Sequence, residues 1–237
     1  MIKINNLTKK YKNKLAVDNL NLEIKTGELF SLLGTNGAGK TTTIKILSSL
    51  ILPSSGTAVI NDFDLVKNRN KIREIINISP QETAVAPNLT VLENLYFMAG
   101  IYQIKNKKKK IEELISLFKL EEVLKQKAKT LSGGYQRKLS IAISLINDPL
   151  ILFLDEPTLG LDVISRQDLW KVINSLKGKT TIILTTHYME EAEKLSDRIG
   201  IMNKGKLIEV GTSKELMKKA RIKTFEDAFI KIVESDV

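Results

Sequence analysis

The chain contains no cysteine, one histidine and one tryptophan among 237 residues. Without a thiol there is no disulfide, no cysteine-ligated zinc and no thiol nucleophile, which fits a reducing cytoplasm. No apolar run approaches the roughly 18 residues that cross a bilayer, and the opening Met1-Ile2-Lys3-Ile4-Asn5-Asn6 lacks the apolar core of a signal peptide. Any membrane role is therefore expected to pass through a partner. Acidic residues are in deficit, 27 against 37 Lys and Arg, for a net charge of +10. Such a balance invites a nucleic-acid or anionic-membrane reading, but a binding footprint clusters. Here lysine is spread along the chain together with Ile and Asn. The one cluster, Lys105 to Lys110, runs straight into Glu112 and Glu113 and reads as a solvated helix start. The remaining composition, 43% hydrophobic and 27% charged, is that of an ordinary globular protein able to bury a sizeable core.

What is present is a phosphate-binding loop in its required context. Glu28-Leu29-Phe30-Ser31-Leu32-Leu33 reads as a buried strand, and Thr43-Ile44-Lys45-Ile46-Leu47 carries apolar residues at helical spacing. Between them lie Gly34, Thr35, Asn36, Gly37, Ala38, Gly39, Lys40, Thr41 and Thr42, which satisfy G-x-x-x-x-G-K-S/T. The glycines let the main chain approach an anion, and successive N–H groups at a helix N-terminus favour negative charge. Lys40 is placed to reach the β- and γ-phosphates of a nucleoside triphosphate, and the Thr41 hydroxyl to bind Mg²⁺.

The chain before this loop alternates short period-two strands, Lys3–Leu7 and Leu20–Ile24, with Tyr11 on a surface segment between them. Beyond it, Thr57–Ile60 is a strand, and Ile75–Ser79 reads as a second buried strand, ending at Pro80-Gln81. From Thr90 to about Lys129 the pattern is helical, with Leu92, Leu95, Tyr96 and Ala99 on one face and Ile111, Leu114, Ile115, Phe118 and Leu120 on another. Leu131-Ser132-Gly133-Gly134-Tyr135-Gln136 opens the next helix, with Ser132 as its N-cap. The all-apolar run Leu150–Leu154 reads as a parallel strand buried on both faces, delivering Asp155 and Glu156 at its carboxyl end, where open α/β sheets bind ligands. Charge at that position is costly unless paired or coordinating. Thr180–Thr186 is another buried strand, ending at the lone His187. A hairpin spans 199–210, and two short helices near 213–220 and 224–234 follow.

Taken in order, Tyr11, GTNGAGKTT (34–42), Gln81, LSGGYQ (131–136), ILFLDEP (151–157), GLD (160–162) and His187 closely resemble the ATP-binding subunit of an ABC transporter. The likeness covers nearly the whole chain, and LSGGYQ is similar to a signature that other P-loop nucleotidases lack. It implies one α/β domain over 1–237: a P-loop core with a mostly parallel sheet, an N-terminal antiparallel β part, a helical insertion at about 88–146 carrying the signature, and C-terminal helices at about 213–237. It implies Mg²⁺-dependent ATP hydrolysis. In that scheme Glu156 is the general base and Asp155 a Mg²⁺ partner. Gln81 touches Mg²⁺ or the attacking water, His187 contacts the γ-phosphate, and Tyr11 stacks on the adenine.

In the family's head-to-tail dimers Ser132, Gly133 and Gly134 cover the γ-phosphate held by the other subunit, and Asp162 lies at that interface. The implied partners are a second ATP-binding subunit and transmembrane permease subunits, at the inner face of the cell membrane, with no nucleic acid. PTLGLD (157–162), THYMEEAEKLSDRIGIM (186–202) and TFEDAFIKIV (224–233) resemble the branch that exports drugs, antibiotic peptides and sodium. Thr35, Tyr135 and Val163 depart from common family choices without removing a phosphate, metal or catalytic group. Two rivals stand beside this reading. A ribosome- or DNA-acting relative would have two nucleotide domains in one chain or a long coiled coil before the signature. A nucleotide binder without turnover would not need Glu156 and His187.

Overall fold

Strands whose every residue is buried form the centre of the molecule. The computed structural model describes residues 1–235. Its strands are β1 (Ile2–Tyr11), β2 (Lys14–Ile24), β3 (Leu29–Gly34), β4 (Ser55–Ile60), β5 (Phe63–Asp64), β6 (Ile76–Ser79), β7 (Ile151–Asp155), β8 (Thr181–Thr186), β9 (Arg198–Asn203) and β10 (Lys206–Gly211). The α-helices are α1 (Lys40–Leu47), α2 (Arg69–Ile75), α3 (Val91–Ile101), α4 (Lys107–Phe118), α5 (Gly133–Ser144), α6 (Val163–Ser175), α7 (Met189–Leu195), α8 (Ser213–Ala220) and α9 (Phe225–Glu234).

One sheet has the order β2-β1-β4-β5 and its three pairings are antiparallel. The other has the order β10-β9-β3-β8-β7-β6, parallel throughout except for the edge hairpin β9–β10. Both the N-terminal antiparallel part and the mostly parallel core therefore follow the sequence reading. In the parallel sheet, alternate residues serve opposite cores. Phe30, Leu32, Ile151, Phe153 and Ile183 join the four-stranded sheet and α1, whereas Leu152, Leu154, Ile182 and Leu184 face α3 to α6. Burial on both faces is why these strands show no polar alternation. The apolar cluster of the helical insertion is continuous with this second face. A third cluster, around Leu33, Ile199 and Ile201, receives α7, α8 and α9.

Several local details differ from the sequence reading. The second strand begins at Lys14, well before Leu20. Helix α2 was not legible, because only Ile72 of its seven residues is buried and no apolar stripe forms. Strand β6, at the sheet edge, is only half-buried. On α3, Tyr96 is exposed and Asn94 takes the inward position. The Asn94 amide is fully used there: Oδ1 accepts Ala86 N–H at 2.8 Å, and Nδ2 donates to the carbonyls of Ala86, Leu89 and Thr90. It thereby pins the loop running from Gln81 into the insertion, and Thr90 starts α3 with a Thr–Glu capping box. Of the lysine cluster, Lys110 is not solvated but buried, with Nζ 2.5 Å from Asp148 Oδ1. The last two residues of the C-terminal range 213–237 lie outside the described residues. Among the described residues no helix is long and apolar enough to cross a membrane.

Candidate nucleotide-binding site

Strand register alone brings the motifs together. Leu33 pairs with Thr186, Thr185 with Asp155 and Leu154 with Ser79. The loop after β3, the acidic pair at the end of β7, His187 after β8 and Gln81 after β6 thus lie along one edge, the carboxyl edge where ligands bind. A cleft of about 430 Å³ opens there. Residues 36–42 form its floor, Lys14 and Ala16 one wall, and Gln81, Glu156, Leu159 and His187 the other.

The phosphate loop is shaped by its glycines. Gly39, the N-cap of α1, has φ 105°, and a Cβ there would stand 2.4 Å from the Ala16 carbonyl oxygen. Only glycine satisfies both the backbone angle and that close approach. Lys40 opens α1 and is 4% exposed; its ammonium donates to the carbonyls of Gly34 (2.8 Å) and Thr35 (3.1 Å) and lies 3.8 Å from Glu156 Oε1. Burial holds the Lys40 amine below its ordinary pKa, opposed by the charges of Glu156 and Asp155.

The acidic pair is held by a residue the sequence reading passed over. Thr185 donates its hydroxyl to Asp155 Oδ1 at 2.5 Å, while its carbonyl and hydroxyl oxygens accept the Glu156 N–H at 3.0 and 3.1 Å. Asp155 Oδ1 also accepts the Thr41 hydroxyl at 3.1 Å, so the metal-ligand candidates from two motifs touch. Glu156 Oε2 stands 3.2 Å from His187 Nδ1, in ion-pair range but without hydrogen-bond alignment. Among the described residues no group of three or more His, Asp or Glu is arranged to hold a metal. The Thr41 hydroxyl and Asp155 carboxylate instead fit an ion such as Mg²⁺, which takes few protein oxygens and fills its remaining positions with phosphate and water.

Other predicted residues lie apart. Tyr11 is exposed at the tip of the β1–β2 hairpin and is not in the cleft wall; its register partner Lys14 is. Lys14 and Ala16 went unread because a hairpin wall is assembled by pairing and leaves no local motif. Ser132, Gly133 and Gly134 are also outside the cleft. Ser132 Oγ caps α5 by accepting Tyr135 N–H at 3.4 Å. A Cβ on Gly134 would come 2.9 Å from Ser165 Oγ, so the signature packs tightly on the start of α6, whereas one on Gly133 would meet nothing within 4 Å. Asp162 caps α6, accepting the N–H groups of Ile164 and Ser165 and the Ser165 hydroxyl. That hydroxyl bond is the main reason its carboxyl sits below the usual range.

Behind the cleft, Glu191 of α7 is fully buried, its Oε1 accepting the Thr158 hydroxyl at 2.8 Å and the Trp170 N–H at 3.0 Å. Burial pushes its carboxyl up, opposed by hydrogen bonds and by the Arg137 charge. A raised pKa means that the folded chain holds this proton to higher pH than the unfolded one. The contribution is fully present below the unfolded value and is lost as pH rises through the folded value. Glu191→Gln removes that dependence. Its stability relative to the parent is expected to be greater at pH 8 than at pH 5. Urea midpoints at the two pH values test this, and a constant difference between the two chains would refute it.

Comparisons with known proteins agree with this architecture. The ABC transporter family model matches residues 17–159, a span that contains the phosphate loop, the signature and the acidic pair. Over 98% of its length the chain is 39% identical to the probable multidrug ABC transporter ATP-binding protein YbhF of Escherichia coli K12, and it spans 42% of that protein. Over 91% of its length it is 39% identical to the linearmycin resistance ATP-binding protein LnrL of Bacillus subtilis 168, spanning 70% of it. Among solved structures, the ATP-binding cassette MJ0796, a dimer in a post-hydrolysis state bound to ADP and Pi, matches with a TM-score of 0.81 at 29% identity. That match covers 90% of this chain and 98% of the other. With the phosphate loop, the acidic pair and His187 on one sheet edge and this likeness along its length, the chain belongs to the ABC transporter family, among its ATP-binding subunits.

Proposed function

We propose that the chain hydrolyses Mg-ATP in this cleft and drives export through separate transmembrane permease subunits, at the inner face of the cell membrane. The observation that carries the reading is the convergence of Lys40, Thr41, Asp155, Glu156 and His187 from three adjacent parallel strands. Loop N–H groups and Lys40 bind the β- and γ-phosphates. Thr41, Asp155 and Gln81 would hold Mg²⁺, which would supply neutralisation of charge on the phosphate oxygens. Glu156 takes the proton of the attacking water, and Gln81 and His187 hold that water and the γ-phosphate in line. Phosphoryl transfer asks little else of a protein than such positioning and charge stabilisation.

The site is completed by a second ATP-binding subunit. Ser132, Gly133 and Gly134 lie outside their own cleft, and exposed apolar Leu159, Val163 and Ile164 flank Asp162. ATP closes the dimer because it binds the closed state better than ADP does, and loss of the γ-phosphate lets it reopen. The names of YbhF and LnrL point to drugs or antibiotics as cargo. Purification from detergent-solubilised native membranes is expected to retain a multi-span protein, with phosphate release that stops when Mg²⁺ is chelated. A chain recovered alone, or turnover unaffected by chelation, would refute the corresponding half of the proposal.

Tyr11 is assigned to the adenine, swinging with its hairpin tip onto the base. Tyr11→Ala is expected to weaken ATP binding by about 1–3 kcal/mol, the range for base–aromatic stacking, with Tyr11→Trp restoring it. An unchanged dissociation constant would leave the tyrosine as hairpin packing beside Lys9, whose ammonium lies 5.1 Å from the ring centre.

A further inference from the structure

The backbone of Glu156 is held in an unfavourable conformation, and a single side chain grips it from both sides. Its φ is 47°, in the left-handed region that a non-glycine residue keeps only when its surroundings enforce it. The peptide carbonyls on either side belong to Asp155 and Pro157. Both accept from Arg137: Nη2 donates to Asp155 O at 2.8 Å and Nε to Pro157 O at 2.8 Å. The remaining guanidinium nitrogen, Nη1, donates to Pro80 O at 2.5 Å and to Gln81 O at 3.4 Å.

Arg137 is 4% exposed and forms no ion pair within 4 Å among the described residues. A planar, rigid fork is spent entirely on the main chain of two loops, which a flexible point charge cannot imitate. The residue also sits on α5, one turn after Gly133. We propose that Arg137 is a positioning residue for hydrolysis, fixing the Glu156 carboxylate and the Gln81 loop relative to each other and to the signature end of α5.

The inference rests on Glu156 as the general base, and the test separates the two. Arg137→Lys keeps a cation but cannot span the carbonyls flanking Glu156; Arg137→Gln serves as the second variant. Rates are expressed per molecule that binds a fluorescent ATP analogue, so any unfolded fraction drops out. The expected result is a kcat lower by about 10²-fold, the usual consequence of an ångström-scale misplacement, with the ATP dissociation constant within about twofold. Placed in a Glu156→Gln background, Arg137→Lys is expected to cost less than about threefold, because the group it positions is already gone.

A wild-type kcat in both variants would overturn the inference. So would a loss that appears in ATP affinity instead of kcat, or a full loss that persists in the Glu156→Gln background. Should Glu156→Gln itself turn over at the wild-type rate, the base assignment fails whatever Arg137→Lys does. With Glu156→Gln slow and Arg137→Lys fast, only the positioning role fails.

Discussion

Glu156→Gln is expected to lower steady-state phosphate release by about 10²- to 10⁴-fold, the usual contribution of a general base, while ATP binding survives. The substitution preserves shape and the backbone bonds to Thr185, since these involve only the Glu156 N–H. What it removes is a proton acceptor 3.8 Å from Lys40 and 3.2 Å from His187. Loss of one negative charge beside a buried ammonium that Glu156 helps to keep charged lowers the Lys40 pKa further. Bound phosphate compensates for that loss, so nucleotide affinity is not expected to fall with the rate. The variant should accumulate as an ATP-bound dimer, closed because the release step is blocked. Phosphate release at the wild-type rate under saturating Mg-ATP would sink the assignment of Glu156.

Mixing two inactive variants gives the second large effect. Gly133 lies at the first turn of α5 with open space where a Cβ would stand, and its φ is not in the left-handed region. Gly133→Glu therefore leaves the isolated subunit folded and able to bind ATP, and an acidic residue at a helix start is favourable. In a head-to-tail dimer the same carboxylate would stand against the partner's γ-phosphate and prevent closure. Lys40→Ala instead loses binding in its own cleft. Alone, each should fall to background. A mixed dimer has one site with both defects and one with neither, so random pairing should restore about a quarter of the wild-type rate where one intact site turns over alone. Gly133→Glu that abolishes ATP binding by the isolated subunit, with its circular dichroism unchanged, would refute the role in trans.

Much of the site was readable because phosphate chemistry constrains consecutive residues. The loop from Gly34 to Thr42 must be glycine-rich and must end in Lys-Thr at a helix start, so its function is written in one short stretch. The acidic pair and His187 were legible for a related reason: strands buried on both faces are all apolar, and polar groups at their ends stand out. What could not be read were groups whose role depends on which strands are neighbours. Thr185 is one threonine in a run until β8 pairs with β7 and sets it beside Asp155 and Glu156. Lys14 and Ala16 reach the cleft only because the β1–β2 hairpin folds over the phosphate loop.

The sequence by itself thus determined that the chain holds a nucleoside triphosphate, that an α/β core presents it, and which side chains are candidates for its hydrolysis. Local constraint suffices for these, since backbone angle, burial pattern and motif spacing are properties of short segments. Only the tertiary structure decided how the pieces are tied. Arg137, one residue beyond the signature hexamer, looks like a surface cation on a polar helix start until α5 is packed on the sheet. There its guanidinium meets carbonyls of the loops after β6 and β7. Glu191 likewise becomes a buried acid only when α7 packs against α6 and the loop carrying Thr158. Desolvation and multi-partner hydrogen bonding arise from contacts between segments distant in sequence, and no window of a single chain contains them.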